Sequence, residues 1–386
     1  MRTLNQALAP LEEAISKKFL PALFGDTTPI SDVDRSLYAL PTKHGGLSID
    51  NPISQAPLAY DASTTLTADL QKMILLSESN LGGAEAKMKT IKAEISRRNE
   101  KQQKEEAGAI LRKLPHETRR GVECASQKGA SAIFSALPLE NLGFCFKGKQ
   151  DFRDLVRMRY RKVIKLPTTC GCGQPYSLDH SQICKVGGLI HMRHDGPKKL
   201  FARVAREVFH DVEVEPVLTE LTGEVMDLKS ANTKPDARAD VRIKSFYTEK
   251  QNAFFDFRGF YPFAKSFSNA TTDAAFESVA KAKRREYGQR IAQVENGSFI
   301  PMVFASTGGM GKEMQTAIGH LARKLSEKRK QPYSVVVGWL RAQFSFEFAW
   351  SALICLRGSR SRRVNTDDLP HDTPPDVGLV SANLNM

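Results

Sequence analysis

Apolar residues recur with two different periods along the chain, and each period predicts a different kind of element. In Lys198 to Phe209 (KKLFARVAREVF), Leu200, Phe201, Val204, Ala205 and Val208 share one face at helical spacing, which predicts an amphipathic helix. Val212 to Leu218 (VEVEPVL) and Arg238 to Ile243 (RADVRI) alternate as strands do, and Ala253 to Phe257 (AFFDF) is a third strand candidate rich in aromatics. Thr272 to Glu295 returns to helical spacing, and Phe299 to Ala305 (FIPMVFA) reads as a buried strand. Gly308 and Gly309 break the chain, and Met314 to Lys328 is helical again. The order helix, three strands, helix, strand, helix predicts a small mixed sheet with flanking helices, an α/β (α+β) fold.

The rest of the chain divides by composition. Residues 1–60 hold short helical patterns that end in a turn-rich string, LPTKHGGLSIDNP (Leu40 to Pro52). Residues 61–118 are polar and helical, with Lys, Glu, Gln and Arg crowded between Lys87 and Lys113. That composition suits a basic helical linker, either solvated or laid on nucleic acid. Residues 119–196 carry a helical segment and a Cys/His cluster, residues 197–363 carry the mixed sheet, and residues 364–386 have no periodicity, which predicts a disordered tail.

Charge and cysteine usage narrow the function classes. Lys plus Arg number 56 against 43 Asp plus Glu, a formal net charge of +13, which suits a polyanionic partner or simple solubility. No run of about 18 apolar residues is present, so no membrane partner is expected; Arg341 and Glu347 interrupt the nearest stretch, Tyr333 to Leu356. Acids occupy the N-terminal segment where a signal peptide needs its apolar core, and six Cys in 386 residues are not a secreted disulfide scaffold. A nuclear or cytoplasmic rather than secreted protein is expected.

Cys170, Cys172, His180 and Cys184 form C-x-C-x7-H-x3-C, two short chelating loops with Gly171, Gly173 and Pro175 at the turns. Four soft or borderline ligands suit a structural Zn²⁺, with no position left for water; the other reading is a reduced, buried cysteine cluster without metal. His191 and His194 follow, as spare ligands, phosphate contacts or ordinary surface histidines.

Asp240 lies near the start of one predicted strand and Asp256 within the next. Alternation sends Asp256 and Arg258 to one face and Phe255 and Phe257 to the other, and a hairpin brings Asp240 near Asp256. Two carboxylates on neighbouring strands with a cation two residues on can hold Mg²⁺ (or Mn²⁺) for phosphodiester hydrolysis. A buried Asp–Arg pair using Arg258 or Arg242 is the competing reading. Glu207 on the preceding helix, or Glu213 or Glu215 on the first strand, offers a further ligand. Lys281 and Lys283, on the helix that follows, offer phosphate contacts, or a solvated helix face.

These residues resemble the C-terminal part of site-specific non-LTR retrotransposon proteins, in which a Cys-Cys-His-Cys knuckle precedes a restriction-like endonuclease of the PD-(D/E)xK superfamily. The helix, three strands, helix, strand order is similar to that superfamily's core. Ser135 to Arg161 and Gly297 to Glu313 look like stretches of retroelement-derived reading frames, and LPTKHGGLSIDNP is similar to the motif where a reverse transcriptase thumb begins. The resemblance covers residues 119–363 and, weakly, 40–52. It implies a double-stranded DNA target nicked for integration, element RNA as a second partner, and Asp240 and Asp256 as metal ligands. It also implies that residues 1–60 are a thumb remnant and that an N-terminal polymerase portion is missing, since no Tyr-x-Asp-Asp or Phe-x-Asp-Asp motif occurs. Arg258 stands where that superfamily has its catalytic Lys; a guanidinium stays protonated, so Lys281 or Lys283 would have to substitute. The alternative is a catalytically inactive nucleic-acid-binding remnant.

Overall fold

The computed structural model describes residues 2–26, 29–76, 81–135, 146, 148–358 and 360. They form two compact units that divide after Ser126. The expected tail, residues 364–386, lies outside the described residues.

The first unit is helical. Helix α1 (Arg2–Ala14) runs through a π turn, Ile15–Phe19, into α2 (Leu20–Phe24), and Gly25 at φ 65° stops it. Helix α3 (Asp32–Ala39) starts at Ser31, whose hydroxyl accepts the Asp34 N–H. Buried Arg35 of α3 grips both oxygens of Glu12 at 2.6 and 2.7 Å and the carbonyls of Ile49 and Asp50, tying α1 to the turn-rich string. That string needs its glycines: Gly45 sits at φ 86°, and a Cβ on Gly46 would lie 1.9 Å from the Leu40 carbonyl oxygen. Helices α4 (Pro52–Leu76) and α5 (Leu81–Lys113) run antiparallel, bridged by Arg98–Asp61 at 2.9 Å and Lys87–Asp69 at 3.7 Å, and α6 (His116–Ala125) follows.

The second unit opens with α7 (Ala132–Ser135), α8 (Lys149–Arg159), α9 (Leu178–Ile183) and α10 (Leu189–Arg206). Then come β1 (Val212–Val214), β2 (Val241–Lys244), β3 (Asn252–Phe260) and α11 (Thr272–Lys283), followed by a π turn, Arg284–Gly288, and α12 (Gln289–Gln293). Strand β4 (Ser298–Ala305), α13 (Lys312–Arg329) and α14 (Tyr333–Arg357) complete it. The sheet order is β1-β2-β3-β4, antiparallel twice and then parallel between β3 and β4. This is the mixed sheet with flanking helices that the periodicity predicts, with differences in extent: β2 begins at Val241, so Asp240 stands just before it, and β3 runs on to Phe260. Helix α10 begins nine residues before Lys198, and the first strand ends at Val214 because Glu215 turns to φ 56° and breaks the ladder. The composition steps at 60/61 and 196/197 both fall inside helices, α4 and α10.

Alternation along β3 builds two cores. Phe255 and Phe257 join Val241, Ile243, Met302 and Phe304 under α10, α13 and α14, where the Phe201 ring lies tilted 4.8 Å from Phe255 and Phe304 stacks 4.8 Å from Phe348. On the other face Phe254 packs on Tyr287 and Ile291, and Phe260 on Phe276. Helix α14 is buried along most of its length, with Phe344 and Phe348 in the main core. Among the described residues no helix is long and apolar enough to cross a membrane.

Candidate functional site

The Cys/His cluster assembles from two local structures. Thr169 pairs with Pro175 across a tight turn, with Gly173 at φ 86°, and this turn presents Cys170 and Cys172. Ser177 caps α9 by accepting the His180 N–H, and one helical turn then separates His180 from Cys184. The four ligand atoms lie within 4.8 Å of one another, Cys170 Sγ 3.8 Å from Cys184 Sγ and Cys172 Sγ 3.3 Å from His180 Nε2. Tetrahedral zinc with Zn–S bonds of about 2.3 Å sets its sulfurs about 3.8 Å apart, far beyond the S–S length of a disulfide. Burial pushes the Cys170 thiol up, whereas the Gln174 backbone N–H holds the Cys172 thiol down. The Cys3His set can therefore hold a metal such as zinc.

The cluster is anchored to its surroundings on two sides. Arg161 donates to both Asp179 oxygens at 2.8 and 3.0 Å and to Tyr261 Oη at 2.9 Å, just past the end of β3. Arg360 donates to Tyr176 Oη at 2.6 Å and to the Ser181 carbonyl at 3.0 Å, and Tyr176 Oη donates to the Leu356 carbonyl at 2.6 Å.

The second candidate site lies where β2 and β3 pair. Val241 faces Phe255, so the next position outward sets Asp240 opposite Asp256. Asp240 Oδ2 accepts the Phe257 N–H at 2.5 Å and contacts His194 Nε2 at 3.1 Å. Asp256 is 5% exposed; its Oδ2 lies 3.0 Å from Lys283 Nζ, outside hydrogen-bond geometry, and accepts no hydrogen bond. Burial pushes the Asp256 carboxyl up to about 6, with Lys283 pulling it back and Asp240 adding to the rise. Burial opposes the charge on Lys283 too, but Asp256 and Glu286, 3.1 Å away, outweigh it and the ammonium is pushed up.

No family model matches the chain, and no curated protein does.

The structure brings together Asp240, Asp256 and Lys283 from the expected set. Arg258 shares its strand face with Asp256 but is exposed, as is Lys281. Glu207 is not brought to the carboxylates: it pairs with Arg329 at 2.6 Å, about 20 Å along α10 from His194 at the usual rise per residue. Glu213 pairs with Arg242 at 2.9 Å, and Glu215 instead reaches the site through Lys198 at 2.7 Å. Sequence reasoning missed Asp195, Lys198 and Glu286. The spacing of His194, Asp195 and Lys198 at i, i+1 and i+4 was the available signal, but it lies ahead of the apolar stripe that marked the helix. Burial opposes the charged form of His194, and the Asp240 and Asp195 carboxylates outweigh it and push the imidazole up.

Arg357 and Arg360, near the C-terminal end, have internal partners. Arg357 grips buried Asp154 at 2.7 and 2.9 Å, and Arg360 is the clasp described above. Arg362 and Arg363 lie outside the described residues.

Proposed function

We propose that the second unit is a restriction-like, metal-dependent DNA endonuclease that nicks a phosphodiester bond, as the retroelement resemblance implies. The observation that carries this reading is the pairing of Asp240 with Asp256 across β2 and β3, with Asp256 Oδ2 buried and without a hydrogen bond. Burial of that carboxylate is only partly offset by Lys283, which leaves room for a further cation, and hard oxygen donors suit Mg²⁺ or Mn²⁺. Asp240 and Asp256 would hold that ion, which when bound supplies Lewis acidity and an acidified water. Lys283 offsets negative charge beside Asp256 as a phosphate approaches. Arg258, exposed on the same strand face, keeps its charge at every working pH and so serves as a phosphate contact and not as a base. The Cys3His centre is structural in this reading, and the net charge of +13 suits DNA.

One observation favours a second reading, a nucleic-acid-binding remnant without activity. Lys283 and His194 already stand on the two carboxylates, so both have partners without a divalent ion.

Zinc-loaded protein incubated with supercoiled plasmid separates the two. Nicking that requires Mg²⁺ or Mn²⁺ and is lost in Asp256→Ala supports the endonuclease. Intact plasmid across both metal titrations, with DNA retention that falls steeply with salt, sinks the endonuclease and supports the binding remnant.

A further inference from the structure

Asp240 is held by a closed ring of contacts drawn from three elements. Its Oδ2 meets His194 Nε2 at 3.1 Å, and His194 Nδ1 meets Asp195 Oδ1 at 3.2 Å. Asp195 Oδ1 lies 2.9 Å from Lys198 Nζ, which donates to Glu215 Oε1 at 2.7 Å. The Glu215 backbone N–H then donates to the Asp240 carbonyl at 2.9 Å, which closes the ring. His194, Asp195 and Lys198 lie on one side of α10 because residues three and four apart are neighbours on a helix. Glu215 can take part because its left-handed backbone, φ 56°, ends β1 there. Lys198 is the best-enclosed member, its side chain 4% exposed between two carboxylates.

The ring treats the two oxygens of Asp240 differently. Oδ2 takes both the Phe257 N–H and His194, whereas Oδ1 has no hydrogen-bond partner among the described residues. A carboxylate fixed through one oxygen presents the other in a single orientation, and partners that orient a ligand in this way change metal affinity by about 10–100-fold.

We infer that His194 is a positioning residue for Asp240, holding Oδ2 so that Oδ1 is directed to a divalent cation, with Asp195, Lys198 and Glu215 fixing the imidazole in turn. This inference rests on the endonuclease reading, in which Asp240 is a metal ligand. His194 touches neither cation nor DNA in this role; it acts through Asp240.

The test is Mn²⁺ binding to the zinc-loaded full chain, followed by loss of the free-ion electron paramagnetic resonance signal, for wild type, Asp240→Asn, His194→Ala, His194→Gln and Asp195→Asn. A glutamine amide nitrogen reaches about where Nε2 lies, so His194→Gln keeps the donor without the ring. The expected result is roughly 10–100-fold weaker binding in His194→Ala, recovery of most of that loss in His194→Gln, and a smaller loss in Asp195→Asn. Unchanged affinity in His194→Ala, alongside loss in Asp240→Asn, overturns the inference and leaves the endonuclease reading standing. Equal weakness in His194→Ala and His194→Gln overturns it as well, since the donor then does not matter. If His194→Ala fails to fold, unchanged affinity in Asp195→Asn overturns the relay. Wild type that takes up no Mn²⁺, or Asp240→Asn that binds as wild type does, overturns both readings.

Discussion

The Lys283 ammonium stands 3.0 Å from Asp256 Oδ2, joining the last turn of α11 to the centre of β3. The two residues are 27 positions apart, and β3 and the helix that follows it bring them together. This pair gives the site its electrostatic character: a buried carboxylate with too little compensation to ionise as an ordinary one does.

Because burial favours its neutral form, Asp256 contributes most stability below the ordinary carboxylate range, and that contribution is lost as pH rises through about 6. Asp256→Asn stays neutral throughout, so it should be more stable than wild type near neutral pH by about 1–3 kcal/mol. The gain should fade on acidification to about pH 4. Urea titrations at a series of pH values read this directly; a variant less stable than wild type at neutral pH would contradict it.

Lys283→Gln removes the cation that holds the Asp256 carboxyl down. The acidic limb of the nicking profile should then move to higher pH, since Asp256 must be ionised to bind metal. A profile that does not move would mean that Lys283 does not face the working carboxylate.

The Cys3His centre should carry one zinc per chain, lost in Cys172→Ser and in His180→Ala. Zinc removal should lower the melting temperature by roughly 5 °C or more, because the turn and α9 lose their shared anchor. Zinc content by mass spectrometry and a thermal melt with chelator check both; full stability of zinc-free protein would rule out a structural role.

Arg357→Ala leaves the carboxylate of Asp154, 0% exposed, with only the Gln150 amide at 2.8 Å among the described residues. The cost should be about 2–3 kcal/mol, and Asp154→Leu combined with Arg357→Met should recover much of it. DNA retention should keep its salt dependence in Arg357→Ala, because this guanidinium is engaged inside the protein. A shallower salt slope would show that Arg357 contacts phosphate instead.

Glu207→Ala should leave nicking unchanged and alter stability by less than about 1 kcal/mol, because its pair with Arg329 is half-exposed. Loss of nicking in this variant would place Glu207 back among the metal ligands.

Local pattern made much of the fold legible. Alternation in RADVRI, the aromatic run AFFDF, and the apolar stripe from Leu200 to Val208 predict elements that the structure contains, because period and burial are tied to one face of a strand or helix. The Cys170–Cys184 spacing was equally readable, since all four ligands arise from one turn and one short helix. The three upstream acids were not separable by the same means. Glu207, Glu213 and Glu215 lie within nine residues of one another, yet only Glu215 reaches the carboxylate site, through Lys198.

Periodicity and short-range spacing thus indicated the element types and the Cys3His set, because each depends on neighbours along the chain. Tertiary structure decided which cations stand on the carboxylates. Lys283 and not the exposed Arg258 reaches Asp256, and His194 reaches Asp240 across 46 positions. The physical reason is that ion pairing and burial depend on distances between elements, and the packing of α10 and α11 against the sheet sets those distances.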